Sequence, residues 1–276
     1  MRAYFGFLVT LTAGALLFSP LSATARDWPQ APANPPASSN CSANHSDNLV
    51  NYAESRDQRL ANGSTNYIAP GANGSIRVHG WNNPDVLVRA CIQTAASSDA
   101  EARALASQIA ITKAPGTIEP TGPSTSDNQY WNVSYEVWVP KAANLDLKAN
   151  NGSIAVENVQ AQIRFHTSNG SVRLNEVAGD VEGSTTNGSV SIDLSGTGGV
   201  VNKLSAETTN GSVRLNLPEN YSAQVEASTV NGKVHVDFPV SVSGEIGKTV
   251  SFQLGNGGPL IQAKTVNGSV HIGRKA

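Results

Sequence analysis

One dipeptide recurs at a fixed interval and restricts the chain more than any other feature. Asn-Gly stands at Asn151, Asn169 and Asn187, each 18 residues after the last, and returns at Asn210, Asn231 and Asn267. A fixed period of this length marks stacked structural units rather than an ordinary globular order. Aligning the six occurrences produces columns. Six residues before the Asn stand Leu145, Ile163, Val181, Leu204, Val225 and Ile261. Two before it stand Ala149, Thr167, Thr185, Thr208, Thr229 and Thr265. Three and five after it come the pairs Ile154/Val156, Val172/Leu174, Val190/Ile192, Val213/Leu215, Val234/Val236 and Val270/Ile272. Apolar and polar residues alternate on both sides of the dipeptide, the signature of strands with one buried face. The interval from Asn231 to Asn267 is twice the repeat, which predicts a hidden unit headed at Thr249, with Phe252 and Leu254 in its apolar columns.

Asn-Gly tolerates sharp backbone turns, so two architectures fit. A hairpin meander would set Leu147 against Val156 and Phe165 against Leu174. A β-solenoid would stack like on like, and the columns favour it, because only stacking turns five aligned threonines into a ladder. A lone 18-residue coil buries four or five apolar side chains worth ~1.5–3 kcal/mol each, against roughly 18–36 kcal/mol for ordering its backbone. Coils must therefore share faces, and the ends need covering because open strand edges recruit other chains. The expected fold class is all-β, a solenoid-like stack over 141–276 continuous with an N-terminal β part over 41–140 that carries one short helix.

In that N-terminal part, Asn73-Gly74-Ser75-Ile76-Arg77-Val78 repeats the turn and the strand after it. Asp85 to Cys91 and Tyr130 to Val139 alternate as strands, the second ending at Pro140. Ser98 to Ala110 reads as a helix, capped by Ser98 or Asp99, with Ala102, Leu105, Ala106 and Ile109 on one stripe. Ala114 to Asn128 reads as a loop.

Several of these elements, in order, resemble a bacterial β-strand-repeat family labelled "putative adhesin". They are Gly71 to Trp81, the Asp85–Cys91 strand, Tyr135-Glu-Val-Trp-Val-Pro140, Leu145-x-Leu147 before Asn-Gly, and Leu254-Gly-Asn-Gly-Gly258 ahead of Thr265-Val-Asn-Gly-Ser269. The resemblance spans roughly residues 65–274. It implies a repetitive β architecture, assigns no catalytic or ligand residues, and is to a family of unknown function. The chain departs from the pattern in its long helix-to-strand loop and in its cysteine pair.

The start of the chain predicts export. Arg2, the apolar run Phe5 to Phe18 and Ala23-Thr24-Ala25 have the form of a secretory signal peptide over 1–25. A Pro-rich linker follows over 26–40. No later stretch is apolar enough for a membrane span. Cys41 and Cys91 both lie in the exported part, where a disulfide would close a loop of about 50 residues; the spacing alone does not decide whether they pair. The expected location is the periplasm, the cell surface or the medium.

Motifs for chemistry are missing. No Gly-x-Ser-x-Gly occurs. Gly244-Glu-Ile-Gly247-Lys248-Thr249 lacks the first glycine of a phosphate loop, having Val242 there. Two cysteines alone make no zinc site, and a formal charge of −2 gives no footprint for nucleic acid. Glu157 and Asp193 share a column two coils apart, about 10 Å at the strand spacing, wider than glycosidase carboxylate pairs. No catalytic, metal or cofactor residues are expected, and no enzyme activity. One outward column remains of interest. Four residues after each Asn stand Arg77, Arg173, Arg214, His235 and His271, interrupted by Ala155 and Ser191. This is either a recognition strip for an acidic glycan or envelope polymer, or a solvated face balanced by Glu157, Asp193 and Asp237, which is the simpler reading. The sequence thus points to a non-enzymatic envelope protein that presents a binding or adhesion-like surface. A periplasmic structural or stress component acting through protein partners is the alternative, and a polysaccharide-active enzyme is the third and weakest reading.

Overall fold

In a computed structural model the described residues are 41–42, 48–125, 128–196, 202–239 and 248–275. The expected leader and linker lie outside them. The chain forms two long sheets that share one core, and each coil contributes a strand to both. Leu145–Asn151, Ile163–Asn169, Val181–Asn187, Lys203–Asn210, Leu260–Asn267 and Ala223–Asn231 build the sheet that precedes each Asn-Gly corner. Ile154–Glu157, Val172–Val177, Val190–Leu194, Val213–Leu217, Val270–Arg274 and Val234–Val236 build the sheet that follows it. Pairing is parallel and like stacks on like: Phe165 lies beside Leu147 and Gly183, and Leu174 beside Val156 and Ile192. This is a solenoid, and the meander is excluded. The apolar columns are buried in one continuous cluster.

The repeated residues have physical reasons. The threonine two before each Asn donates its hydroxyl hydrogen to the corner glycine carbonyl of the neighbouring coil: Thr167 to Gly152 at 2.9 Å, Thr185 to Gly170 at 2.8 Å and Thr208 to Gly188 at 2.7 Å. The asparagines form their own ladder, each Nδ2 donating to the next Oδ1 at 2.8 Å from Asn169 to Asn151, Asn187 to Asn169 and Asn210 to Asn187. The glycine is fixed by contact. A Cβ on Gly170 would sit 2.1 Å from the Gly152 carbonyl oxygen, so no other residue lets the corners nest.

Spatial order departs from chain order at the C-terminal end. The last coil, Leu260–Asn267 with Val270–Arg274, inserts between the coil of Asn210 and the coil of Asn231. The hidden unit expected at Thr249 is not a coil. Thr249–Leu254 runs antiparallel to Ala223–Ser228, setting Phe252 opposite Val225 at the edge of the sheet that precedes the corners. Without Asn-Gly the chain does not turn into the other sheet, and the strand closes an edge instead.

The N-terminal part continues the sheet that follows the corners. Ile76–Trp81 pairs in parallel with both Ile154–Glu157 and Tyr130–Pro140. Val86–Ala96 and then Val50–Leu60 add antiparallel strands beyond it. The helix is Asp99–Ser107, capped by the Ser98 side chain, and Ala102, Leu105 and Ala106 are buried. It stops short of Ala110 because Ala110–Ile111 pairs with Pro120–Thr121, so the expected loop contains short strands.

Candidate functional site

The outward column assembles on the sheet that follows the corners. Register places Arg77 beside Ala155, then Arg173, Ser191, Arg214, His271 and finally His235. The insertion of the last coil reverses the two histidines relative to the sequence and brings His271 next to Arg214. On the other side the row continues through Glu136, Arg89 and Asp57. Neighbouring strands lie about 4.8 Å apart, so Arg77, Arg173 and Arg214 recur about every 10 Å or slightly more.

Electrostatics differ along the row. Arg89 is held by Asp57 through paired N–H···O bonds of 2.9 Å, and this hydrogen bonding raises its guanidinium above the ordinary value. Glu136 lies 3.9 Å from Arg89 Nη1 and 3.3 Å from His79 Nε2. In the adjacent acidic row, Glu157 lies 3.4 Å from His79 Nδ1, Asp193 accepts from Asn216 Nδ2, and Asp237 lies 2.7 Å from His271 Nε2. Each of these carboxylates thus has a local partner other than the arginines, and that of Asp237 is His271 of the row itself. Among the described residues, Arg77, Arg173 and Arg214 have no carboxylate partner, and all are exposed.

A depression of about 480 Å³ opens at the Arg77 end, lined by Arg77, Arg89, Glu136 and the serines Ser75, Ser134 and Ser153. Ser134 lies in the strand Tyr130–Pro140, and Ser75 and Ser153 stand just before the neighbouring strands Ile76–Trp81 and Ile154–Glu157. Ser134 Oγ accepts from the Ser75 amide and Ser75 Oγ from the Ser153 amide, both at 3.2 Å, so each hydroxyl keeps its O–H for donation outward. Beside it, Trp81, Leu87 and Trp138 form a second small apolar cluster on the outside of the sheet. Arg59 lies over Trp81 and Arg89 over Trp138, and His79 stacks on Trp138 at 5.5 Å. Cys41 and Cys91 are joined by a disulfide at the rim of the depression, with Cα atoms 5.3 Å apart.

The sequence missed Val50–Leu60 and with it Asp57 and Arg59. That strand turns Tyr52, Glu54, Arg56 and Gln58 toward the helix side instead of a regular apolar face. Arg56 donates to the carbonyls of Ala106 at 2.8 Å and Ile109 at 2.5 Å, and Gln58 to that of Thr112 at 3.1 Å. Hydrophobic periodicity cannot reveal a strand that docks through polar tips.

Glu157, Asn175 and Asp193 lie side by side as three neighbouring strands, which leaves the two carboxylates two coils apart and engaged elsewhere. Among the described residues, no group of three or more His, Cys, Asp or Glu could hold a metal ion, and no helix is long and apolar enough to cross a membrane.

A family model described as Toastrack DUF4097 matches residues 69–273. No curated protein matches the sequence. Among solved structures, the chain is similar to a "putative cell adhesion protein" from Clostridium sporogenes, with 12% identity over 81% of this chain and 100% of that one, at a TM-score of 0.44. A "putative adhesin" from Bacteroides fragilis has 11% identity over 81% of this chain and 97% of its own, at a TM-score of 0.35. A "putative lipid binding protein" from Parabacteroides distasonis has 10% identity over the same shares, at a TM-score of 0.34.

Proposed function

The chain belongs to the Toastrack DUF4097 family, and from that premise we propose that it is an exported, non-enzymatic protein of the bacterial envelope whose outer sheet face binds an acidic polymer. The observation that carries this reading is the row of exposed arginines, Arg77, Arg173 and Arg214, set in register on a rigid sheet with no carboxylate partner among the described residues. A repeating cation at a spacing of about 10 Å suits a polyanion with charges at regular intervals, because each contact fixes the register of the next. Guanidinium groups suit carboxylate, sulfate or phosphate equally through paired N–H bonds. The depression at the Arg77 end offers serine donors for a sugar hydroxyl or a terminal acid. The disulfide supports export, since such bonds persist in oxidising compartments.

The test is binding of the purified protein to immobilised polygalacturonate, with neutral dextran as control. The parent is expected to bind and to release as salt is raised. Arg173→Glu combined with Arg214→Glu should weaken binding about tenfold or more, since opposed charges become like charges. A parent that ignores the polyanion, or a double variant that binds equally well, overturns the proposal.

A further inference from the structure

The asparagine ladder has two unlike ends. In spatial order it runs Asn73, Asn151, Asn169, Asn187, Asn210, Asn267, Asn231, each side-chain amide donating to the one before it at 2.8–3.0 Å. The corner glycine amides point the other way, toward the next coil. Gly74 donates to the Asn151 carbonyl at 3.1 Å, Gly152 to Asn169, Gly170 to Asn187 and Gly211 to Asn267 at 3.0 Å, Gly188 to Asn210 at 2.9 Å, and Gly268 to Asn231 at 3.1 Å. The coil of Asn231 is the last, and among the described residues only Thr249–Leu254 pairs beyond it, along Ala223–Ser228 and short of the Asn231 corner. Among the described residues, the Gly232 N–H has no acceptor and Asn231 Oδ1 no donor.

That asymmetry bears on a reaction intrinsic to Asn-Gly. The glycine nitrogen can attack the asparagine Cγ. A C–N bond forms, the Cγ–Nδ2 bond breaks, and ammonia leaves carrying the proton lost by the glycine nitrogen. The resulting succinimide is opened by water to aspartate or isoaspartate. The step needs a glycine nitrogen free to lose its proton and a carboxamide free to rotate onto it. Interior coils deny both, since the glycine N–H is donated and the carboxamide is tied on two sides. We infer that Asn231-Gly232 is the deamidation site of the asparagine ladder, and that the stack shields the remaining Asn-Gly corners.

The sequence contains its own control. Thr229-Val230-Asn231-Gly232 and Thr265-Val266-Asn267-Gly268 are the same tetrapeptide. They lie side by side in the sheet, one terminal and one interior. The folded protein is incubated at mildly alkaline pH, digested, and its peptides are followed by mass for the loss of ammonia and gain of water. Asn231 should convert about tenfold or more faster than Asn267, the factor that one hydrogen bond of ordinary strength supplies. In concentrated urea the two rates should converge. Lys233→Ser extends the identity to five residues, and in the folded variant the difference should persist. Equal rates in the folded protein, a difference that survives undiminished in urea, or a difference abolished by Lys233→Ser would each overturn the inference.

Discussion

At the scale of single residues, the repeat columns separate into those that fill the core and those that join coils. Thr185→Val keeps shape but leaves the Gly170 carbonyl without its donor. It should cost about 1–3 kcal/mol in urea unfolding. Gly170→Ala meets the Gly152 carbonyl oxygen at 2.1 Å. It should cost roughly 3 kcal/mol or more, because backbone rather than a side chain must yield. Tyr135 makes a different prediction. Its ring is buried, its hydroxyl has no partner among the described residues, and burial raises its pKa far above the ordinary 10.0. Above pH ~10 the unfolded chain loses this proton while the folded chain keeps it. The folded state then binds more protons, and stability falls as pH rises, by up to about 1.4 kcal/mol per pH unit from this residue. Tyr135→Phe should flatten that alkaline limb in unfolding titrations, and should not destabilise at neutral pH.

At the scale of elements, the coils were legible and the N-terminal cover only in part: Ile76–Trp81, Val86–Ala96, Tyr130–Pro140 and the helix could be read, Val50–Leu60 could not. Alternation about Asn-Gly displays every parallel strand from Leu145 to Asn231, because each buries one face and exposes the other. The same arithmetic misread Thr249–Leu254. Phe252 and Leu254 are apolar and correctly spaced, but spacing carries no information about strand direction, which the missing Asn-Gly decides. The helix was placed within three residues, and its last turn is braced by Arg56, a contact 50 residues away in sequence. Arg56→Ala should take one donor from the Ala106 carbonyl, which keeps the Ile109 amide, and the Arg56 donor from the Ile109 carbonyl, and fray the last helical turn. Hydrogen exchange should quicken for Leu105, Ala106 and Ser107 while the coil strands keep their protection. Replacing Cys41 and Cys91 by serine removes a crosslink over a sequence separation of 50. A loss of about 4 kcal/mol is expected in the chain-entropy account.

At the scale of the whole molecule, the outward basic column was half legible. Its residues could be read from the columns, but their charge balance could not. Which side chains Glu157, Asp193 and Asp237 meet depends on who sits one strand away, and the structure sets them against His79, Asn216 and His271. The place of His271 beside Arg214 was beyond reach of any sequential stacking rule, because the last coil enters the stack between two earlier ones. A chain ending at Lys264 should accordingly lose cooperative unfolding altogether. Removing an end coil of an ordinary solenoid would trim one unit instead.

That interleaved tail also sets an order of assembly. The coil of Asn231 leaves the ribosome before its true neighbour exists, and pairing it directly with the coil of Asn210 would be a register error that the final residues must prevent or undo. The stack can therefore be completed only once residues 260–274 have been made, so a nascent or threading chain stays unfinished until those two strands arrive.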